Sequence, residues 1–158
     1  MIIVDEYRER CKNFTIKVIK TNLDEYKRRG QTNVDRIKKQ IFIGKLAECA
    51  VWKVKKDELV SGPDFTIYPP RHKSFDADLM FKDGKELHVK CQYTGKPGNK
   101  NNSWVFQKVD NPKGYIILTT YYKKHIYIEK MIRAEDADYS DTRLMLPTKK
   151  ALYMYDLR

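Results

Sequence analysis

The sequence has no apolar run approaching the roughly 20 residues of a membrane-spanning helix. Its first residues, MIIVDEYRER, lack a basic leader ahead of an apolar stretch and a cleavage site. A membrane protein is therefore not expected, and a cytoplasmic one is. Cysteine is scarce: Cys11, Cys49 and Cys91 are odd in number and widely spaced, with no CxxC pair. That argues against a disulfide framework and against a structural zinc site, and leaves reduced, small core residues. Internal repeats, low-complexity tracts and obvious linkers are all missing. The 158 residues thus read as a single domain, 1–158, able to bury roughly two-thirds of the surface of its unfolded chain. Acidic residues are in short supply, 21 Asp and Glu against 32 Lys and Arg. The resulting formal charge of +11 favours an anionic partner, a nucleic acid or a membrane surface.

The chain does have the material for a packed interior, being 41% hydrophobic and 12% aromatic. The first thirty residues are predicted helical, with Gly30 as the stop. A second helix starts at Asn33, a good N-cap, and runs through VDRIKKQIFIGKLAECAVWKVKKDE. Val34, Ile37, Ile41, Gly44, Glu48, Val51 and Trp52 recur on one face. Strands are expected at 64–68, 76–81 and 86–92 as a meander, separated by Pro69-Pro70 and Asp83-Gly84. YTGKPGNKNNS, 93–103, is an exposed, mobile loop by composition. WVFQKV, GYIILTTYY and HIYIEK follow as strands, with a hairpin turn at Lys123-Lys124 and a closing LYMYDL. His72 and His125 read as surface imidazoles.

The register of one hairpin can be derived. Leu79 and Phe81 share a strand face with Ala77, and Leu87, Val89 and Cys91 share one in the next strand; both apolar sets must meet one core. A two-residue turn at Asp83-Gly84 would set the apolar row of one strand against the polar row of the other. A three-residue loop, Lys82-Asp83-Gly84, with Gly84 in the left-handed conformation, corrects the slip. Leu79 then pairs with Leu87, Asp78 with His88 and Asp76 with Lys90. The polar row Glu86, His88, Lys90, Gln92 reads equally well as the solvated side of a half-buried sheet. Glu48 is what tilts the balance, because a carboxylate inside the apolar stripe of a helix requires a partner, a cation or a proton.

A helix with an inward Glu, a strand with Asp and a neighbouring strand with a ligand, one spacer and Lys resembles the PD-(D/E)XK nuclease superfamily. The residues are GKLAE (44–48), DAD (76–78) and HVK (88–90), with GPDF (62–65) as a further stretch of a kind seen in such enzymes. The resemblance covers roughly residues 33–120. It implies an α/β fold, a restriction endonuclease-like core whose central mixed sheet is flanked by helices. It also implies a metal-dependent endonuclease hydrolysing phosphodiester bonds in DNA; an RNA-directed nuclease or a non-catalytic nucleic-acid-binding module on the same fold are the alternatives. Carried over, Asp78 and His88, with Asp76, hold Mg²⁺, Mn²⁺ being tolerated, while Lys90 faces the attacking water, Glu48 completes the site and Gln92 orients water or phosphate. His88 stands where the superfamily usually has Glu or Asp, which removes one negative charge and softens the preference for Mg²⁺. Tyr93, Lys96, Lys100 and Trp104, beside the site, are candidates for contacting the nucleic acid. Small nucleases of this kind often form homodimers so that two sites reach two strands.

Overall fold

A computed structural model describes residues 1–70, 77–142 and 146–157. Helix α1, Asp5–Arg28, carries Asp5 and Glu6 in its first turn and Lys27 and Arg28 in its last, which complements the helix dipole at both ends. It stops at Gly30, whose φ of +82° is left-handed, as expected. Helix α2, Val34–Lys55, starts as expected too, with Asn33 Oδ1 accepting the Arg36 amide at 3.1 Å.

The covered surface of α2 is wider than its predicted stripe. Ile43, Leu46, Ala47 and Ala50 are buried in addition to Ile37 and Val51. The reason is that α2 lies between α1 and a sheet and so has two packed sides. Cys11 and Cys49 meet across the α1–α2 interface as buried free thiols, their sulfurs 3.8 Å apart, and Cys91 is partly buried.

The strands are β1 (Leu79–Met80), β2 (Glu86–Gln92), β3 (Ser103–Gln107), β4 (Tyr115–Tyr122), β5 (His125–Arg133), β6 (Ser140–Asp141) and β7 (Lys149–Tyr153). One sheet has the order β1-β2-β4-β5 and a second the order β3-β7-β6. The first is mixed, as expected of an α/β protein: β2 runs parallel to β4, while β1 and β5 are antiparallel to their neighbours. The derived register holds, with Leu79 opposite Leu87, Gly84 at φ +87° and the Gly84 amide donating to the Phe81 carbonyl at 2.9 Å. Lys123 and Lys124 form the turn between paired Tyr122 and His125, both at positive φ.

Four expectations are corrected. Residues 64–68 form no strand. Their polar groups are satisfied by side chains instead: Asp64 Oδ1 accepts the Thr66 amide at 2.8 Å and the Tyr68 carbonyl accepts from Asn22 at 3.1 Å. The strand expected over 76–81 is regular only at Leu79–Met80, with Phe81 bridged to Leu59, and residue 76 lies outside the described residues. The meander expected over 64–92 is therefore reduced, among the described residues, to the β1–β2 hairpin, and the next neighbour of β2 is the parallel strand β4, which needs a crossover rather than a tight turn.

The fourth correction concerns the layers. The helices cover one face of the mixed sheet, where Val51 and Leu59 pack on Leu79, Leu87 and Ile117. The other face, around Ile116 and Leu118, packs on Trp104, Phe106 and Leu152 of the second sheet.

Where β2 and β4 begin, their backbones come so close that only glycine fits. Gly114 is at φ +75°, and a Cβ on it would lie 2.3 Å from the Glu86 carbonyl oxygen. Gly114→Ala is expected to lower stability by at least about 2 kcal/mol, combining left-handed strain with a clash against unyielding backbone. Urea unfolding measures this, and an unchanged midpoint would contradict the close approach.

Candidate active site

The site begins at Glu48. Burial pushes its carboxyl up from the ordinary 4.5 to about 8, and the negative charge of Asp78 adds to the rise while Lys45 opposes it. Helix α2 and the segment entering β1 thus bring two carboxyl groups from different elements close enough to feel each other, both of them half-buried. Asp78 is held by the backbone, its Oδ2 accepting the Val89 amide at 2.7 Å, midway between His88 and Lys90.

Lys45 Nζ lies 2.7 Å from Glu48 Oε2 and donates to the Asp64 carbonyl, also at 2.7 Å; its side chain is only 11% exposed. The ammonium sits 4.7 Å from the Phe14 ring centroid and 5.6 Å from that of Phe65, so an aromatic wall backs the ion pair. Hydrogen bonds from Thr66 and Tyr68 hold the Asp64 carboxyl below the usual carboxylate range. Lys45 is absent from the sequence-based set; the signal that reveals it is its place three residues before a buried Glu on one helix.

The β2 row shares one side as expected, but that side packs on the second sheet and is opposite α2, so His88 and Lys90 are not brought to Glu48. His88 is turned toward Glu86, with Nε2 3.1 Å from Oε2 and its side chain 16% exposed. Lys90 holds its ammonium 4.7 Å from the centroid of Phe106 in the second sheet. Gln92 is buried, and both ends of its amide are engaged: Nε2 donates to Thr120 Oγ1 at 2.9 Å, and Oε1 accepts the amides of Thr94 and Gly95 at 3.0 and 2.8 Å. Its place in the structure is therefore that of a loop anchor, not of a group free to orient a water. Asp76, the expected partner of Lys90, lies outside the described residues.

Among the candidates for nucleic-acid contact, Trp104 is corrected. It is 1% exposed and its Nε1 donates to the Thr119 carbonyl at 2.8 Å, so no base can stack on it. Alternation puts Trp104 and Phe106 on one side of β3, and that side is the core between the sheets. Tyr93 is half-buried under the Lys39 ammonium, 4.7 Å from its ring centroid, while Lys96 and Lys100 are exposed.

The loop carrying these lysines is bonded to the sheet and to itself by side chains. The Gly98 amide donates to both Glu129 carboxylate oxygens at 3.1 Å, and Asn102 Nδ2 donates to the Lys96 carbonyl at 2.7 Å. A Cβ on Gly95 would fall 1.9 Å from Asn102 Oδ1.

Hard carboxylate oxygens at Glu48 and Asp78 suit a cation such as Mg²⁺, and a proton affinity raised by a neighbouring anion is what a bound cation would relieve. The fit extends to these two. Among the described residues no three His, Cys, Asp or Glu side chains converge, and His88 faces Glu86 instead. No family model, curated protein or solved structure matches the chain. The likeness to PD-(D/E)XK nucleases rests on GKLAE, DAD and HVK themselves.

The raised Glu48 carboxyl has a thermodynamic consequence. Below pH 4.5 the carboxyl is protonated in both the folded and the unfolded chain. Between about 4.5 and 8 the unfolded chain loses the proton while the folded one keeps it, so stability contributed here falls as pH rises and levels off above about 8. In EDTA, Glu48→Gln is therefore expected to match the parent near pH 4.5 and to exceed it at pH 8 to 9, with a slope difference of up to about 1.4 kcal/mol per pH unit. Parallel stability profiles across that range would mean that Glu48 ionises normally.

Proposed function

We propose that the protein is a metal-dependent endonuclease acting on DNA, with the core of the PD-(D/E)XK superfamily. The observation that carries this reading is the convergence of Glu48 and Asp78, two carboxylates from separate elements whose mutual repulsion is buried. In this reading Glu48 and Asp78 hold a divalent cation, Mg²⁺ or Mn²⁺. Such a cation supplies charge neutralisation at the phosphate and acidifies water for attack. Lys45 orients Glu48 and offsets its charge before the cation arrives. The Val89 amide fixes the Asp78 carboxylate. Lys90 lies over the Phe106 ring, on the sheet face away from α2, so in this reading its ammonium has to leave that face to stand beside the attacked phosphate, where a positive charge stabilises the transition state.

A second reading, a nucleic-acid-binding module without catalysis, is favoured by the pairing of His88 with Glu86, which engages the imidazole with a carboxylate other than that of Asp78. Supercoiled plasmid incubated in Mg²⁺, in Mn²⁺ and in EDTA separates the two. The nuclease reading expects nicking or linearisation with either metal, none in EDTA, and rate losses of about 10²- to 10⁴-fold in Glu48→Gln and Lys90→Ala. Binding without cleavage under all three conditions would select the second reading, and cleavage confined to an RNA substrate would change the target.

The role of His88 is resolved by a pair of variants. As a metal ligand, His88→Ala is expected to lose most cleavage while His88→Glu retains it in Mg²⁺, since a carboxylate is the better ligand for a hard cation. Equal rates for both variants and the parent would leave the site to Glu48, Asp78 and Lys90.

A further inference from the structure

At the opposite end of the sheet from the Gln92 loop, where β2 and β4 begin, lies an open cleft of about 570 Å³ whose lining includes Lys85, Lys113 and Arg133 against a single acid, Glu135, with Tyr115 and Gly114. Its cations sit at the ends of three neighbouring strands, Lys85 just before β2, Lys113 just before β4 and Arg133 at the end of β5. Leu79, Leu87, Tyr115 and Arg133 form one continuous row across the sheet. The backbones of Glu86 and Gly114 touch, so Lys85 and Lys113, which immediately precede them, flank a single contact. Strands lie about 4.8 Å apart, which spreads the three cations over about 10 Å.

Three features suit this row to a phosphodiester backbone. Neighbouring phosphates of one strand, about 3.4 Å apart along the helix axis, lie about 7 Å apart along the winding strand, so a row of this length spans two of them. The floor is rigid, because Gly114 is pinned on Glu86 and its carbonyl accepts the Ala134 amide at 2.8 Å. The cations are available: Lys85 pairs with Asp83 and Arg133 with Glu135 only at 3.7 Å, between side chains more than half exposed, and such pairs contribute little. The side beyond Arg133 is different. A neighbouring cleft, which Arg133 also borders, sets Asp136, Asp138 and Asp156 against Lys130 and Arg133, a net negative balance that disfavours phosphate on that side.

We infer that the Lys85–Lys113–Arg133 cleft is a phosphate-backbone subsite, gripping the nucleic acid apart from the Glu48–Asp78 site. This rests on the nucleic-acid reading above. It does not rest on cleavage.

The test is fluorescence anisotropy in EDTA with a labelled DNA duplex and a labelled single-stranded RNA, across a salt series. The Lys85→Ala/Lys113→Ala/Arg133→Ala variant is compared with Lys12→Ala/Lys17→Ala/Lys20→Ala, an equal loss of charge from exposed positions of α1. The cleft variant is expected to bind at least about tenfold more weakly near physiological salt, to lower the slope of log K against log salt by about 3, and to do so alike for all sequences; the α1 variant changes neither by as much. Equal losses in the two variants, an unchanged slope in the cleft variant, or no binding by the parent would overturn the assignment. Displacement of the DNA by micromolar inorganic pyrophosphate would overturn it too, by giving the cleft to a free phosphate compound. A parent that binds through the cleft yet cuts nothing in Mg²⁺ or Mn²⁺ would refute the nuclease reading and leave this subsite standing.

Discussion

Strand β2 is hydrogen-bonded along both edges, antiparallel to β1 and parallel to β4, and the rest of the molecule is arranged around that double pairing. Parallel neighbours cannot be joined by a tight turn. After Gln92 the chain must therefore leave the sheet, and it returns only at Tyr115. On the way it lays down β3, which joins β7 and covers the far face of the mixed sheet with Trp104 and Phe106. The near face was already taken by α2. Both faces of β2 are consequently covered, and the polar row on its far side sits against aromatic rings and threonines rather than in free water.

That enclosure explains the electrostatic character of the candidate site. A carboxylate in water resists a neighbouring carboxylate weakly, whereas a buried one feels it strongly because little solvent screens the pair. Glu48 is buried by the packing of α2 against the sheet, and Asp78 is fixed nearby by the backbone of the very strand that α2 packs on. The fold supplies partial relief through Lys45, itself held by the Asp64 carbonyl and two aromatic rings. A core that holds two carboxyl groups and one amine is less stable than an apolar one of the same volume. Such arrangements belong where charge is to be exchanged with a ligand or a proton.

Buried polar groups also organise the loop beyond β2. Gln92, Thr120 and Glu129, from three strands, form a connected chain of hydrogen bonds that ends on the amides of Thr94, Gly95 and Gly98. Each member satisfies the next, so glycine-rich backbone that would be floppy by composition is held in one course. Lys96 and Lys100 are thereby presented from a defined platform. With the basic cleft at the other end of the same sheet, positive charge is concentrated at both ends of β2, on either side of the Asp78 anchor.

Much of this was legible in local sequence. Asn33 and Gly30 mark helix ends through side-chain capping and left-handed backbone, which depend on a few adjacent residues. The pairing of Leu79 with Leu87 followed from alternation and the demand of Gly84 for positive φ. The burden on Glu48 followed from helical spacing alone. Residues 64–68 misled because a β-rich composition says nothing about whether a neighbouring strand exists, and here side chains of α1 and α2 take the hydrogen bonds instead. Trp104 and Gln92 misled because alternation tells which residues share a side but not what lies opposite that side. The sequence by itself determined where elements begin and which side chains stand in one row. Only the tertiary structure decided what each row faces, that Lys45 meets Glu48 and Asp64 together, and that Asp78 comes within reach of Glu48, because these depend on the route of the chain between β2 and β4 and on packing between residues far apart in sequence.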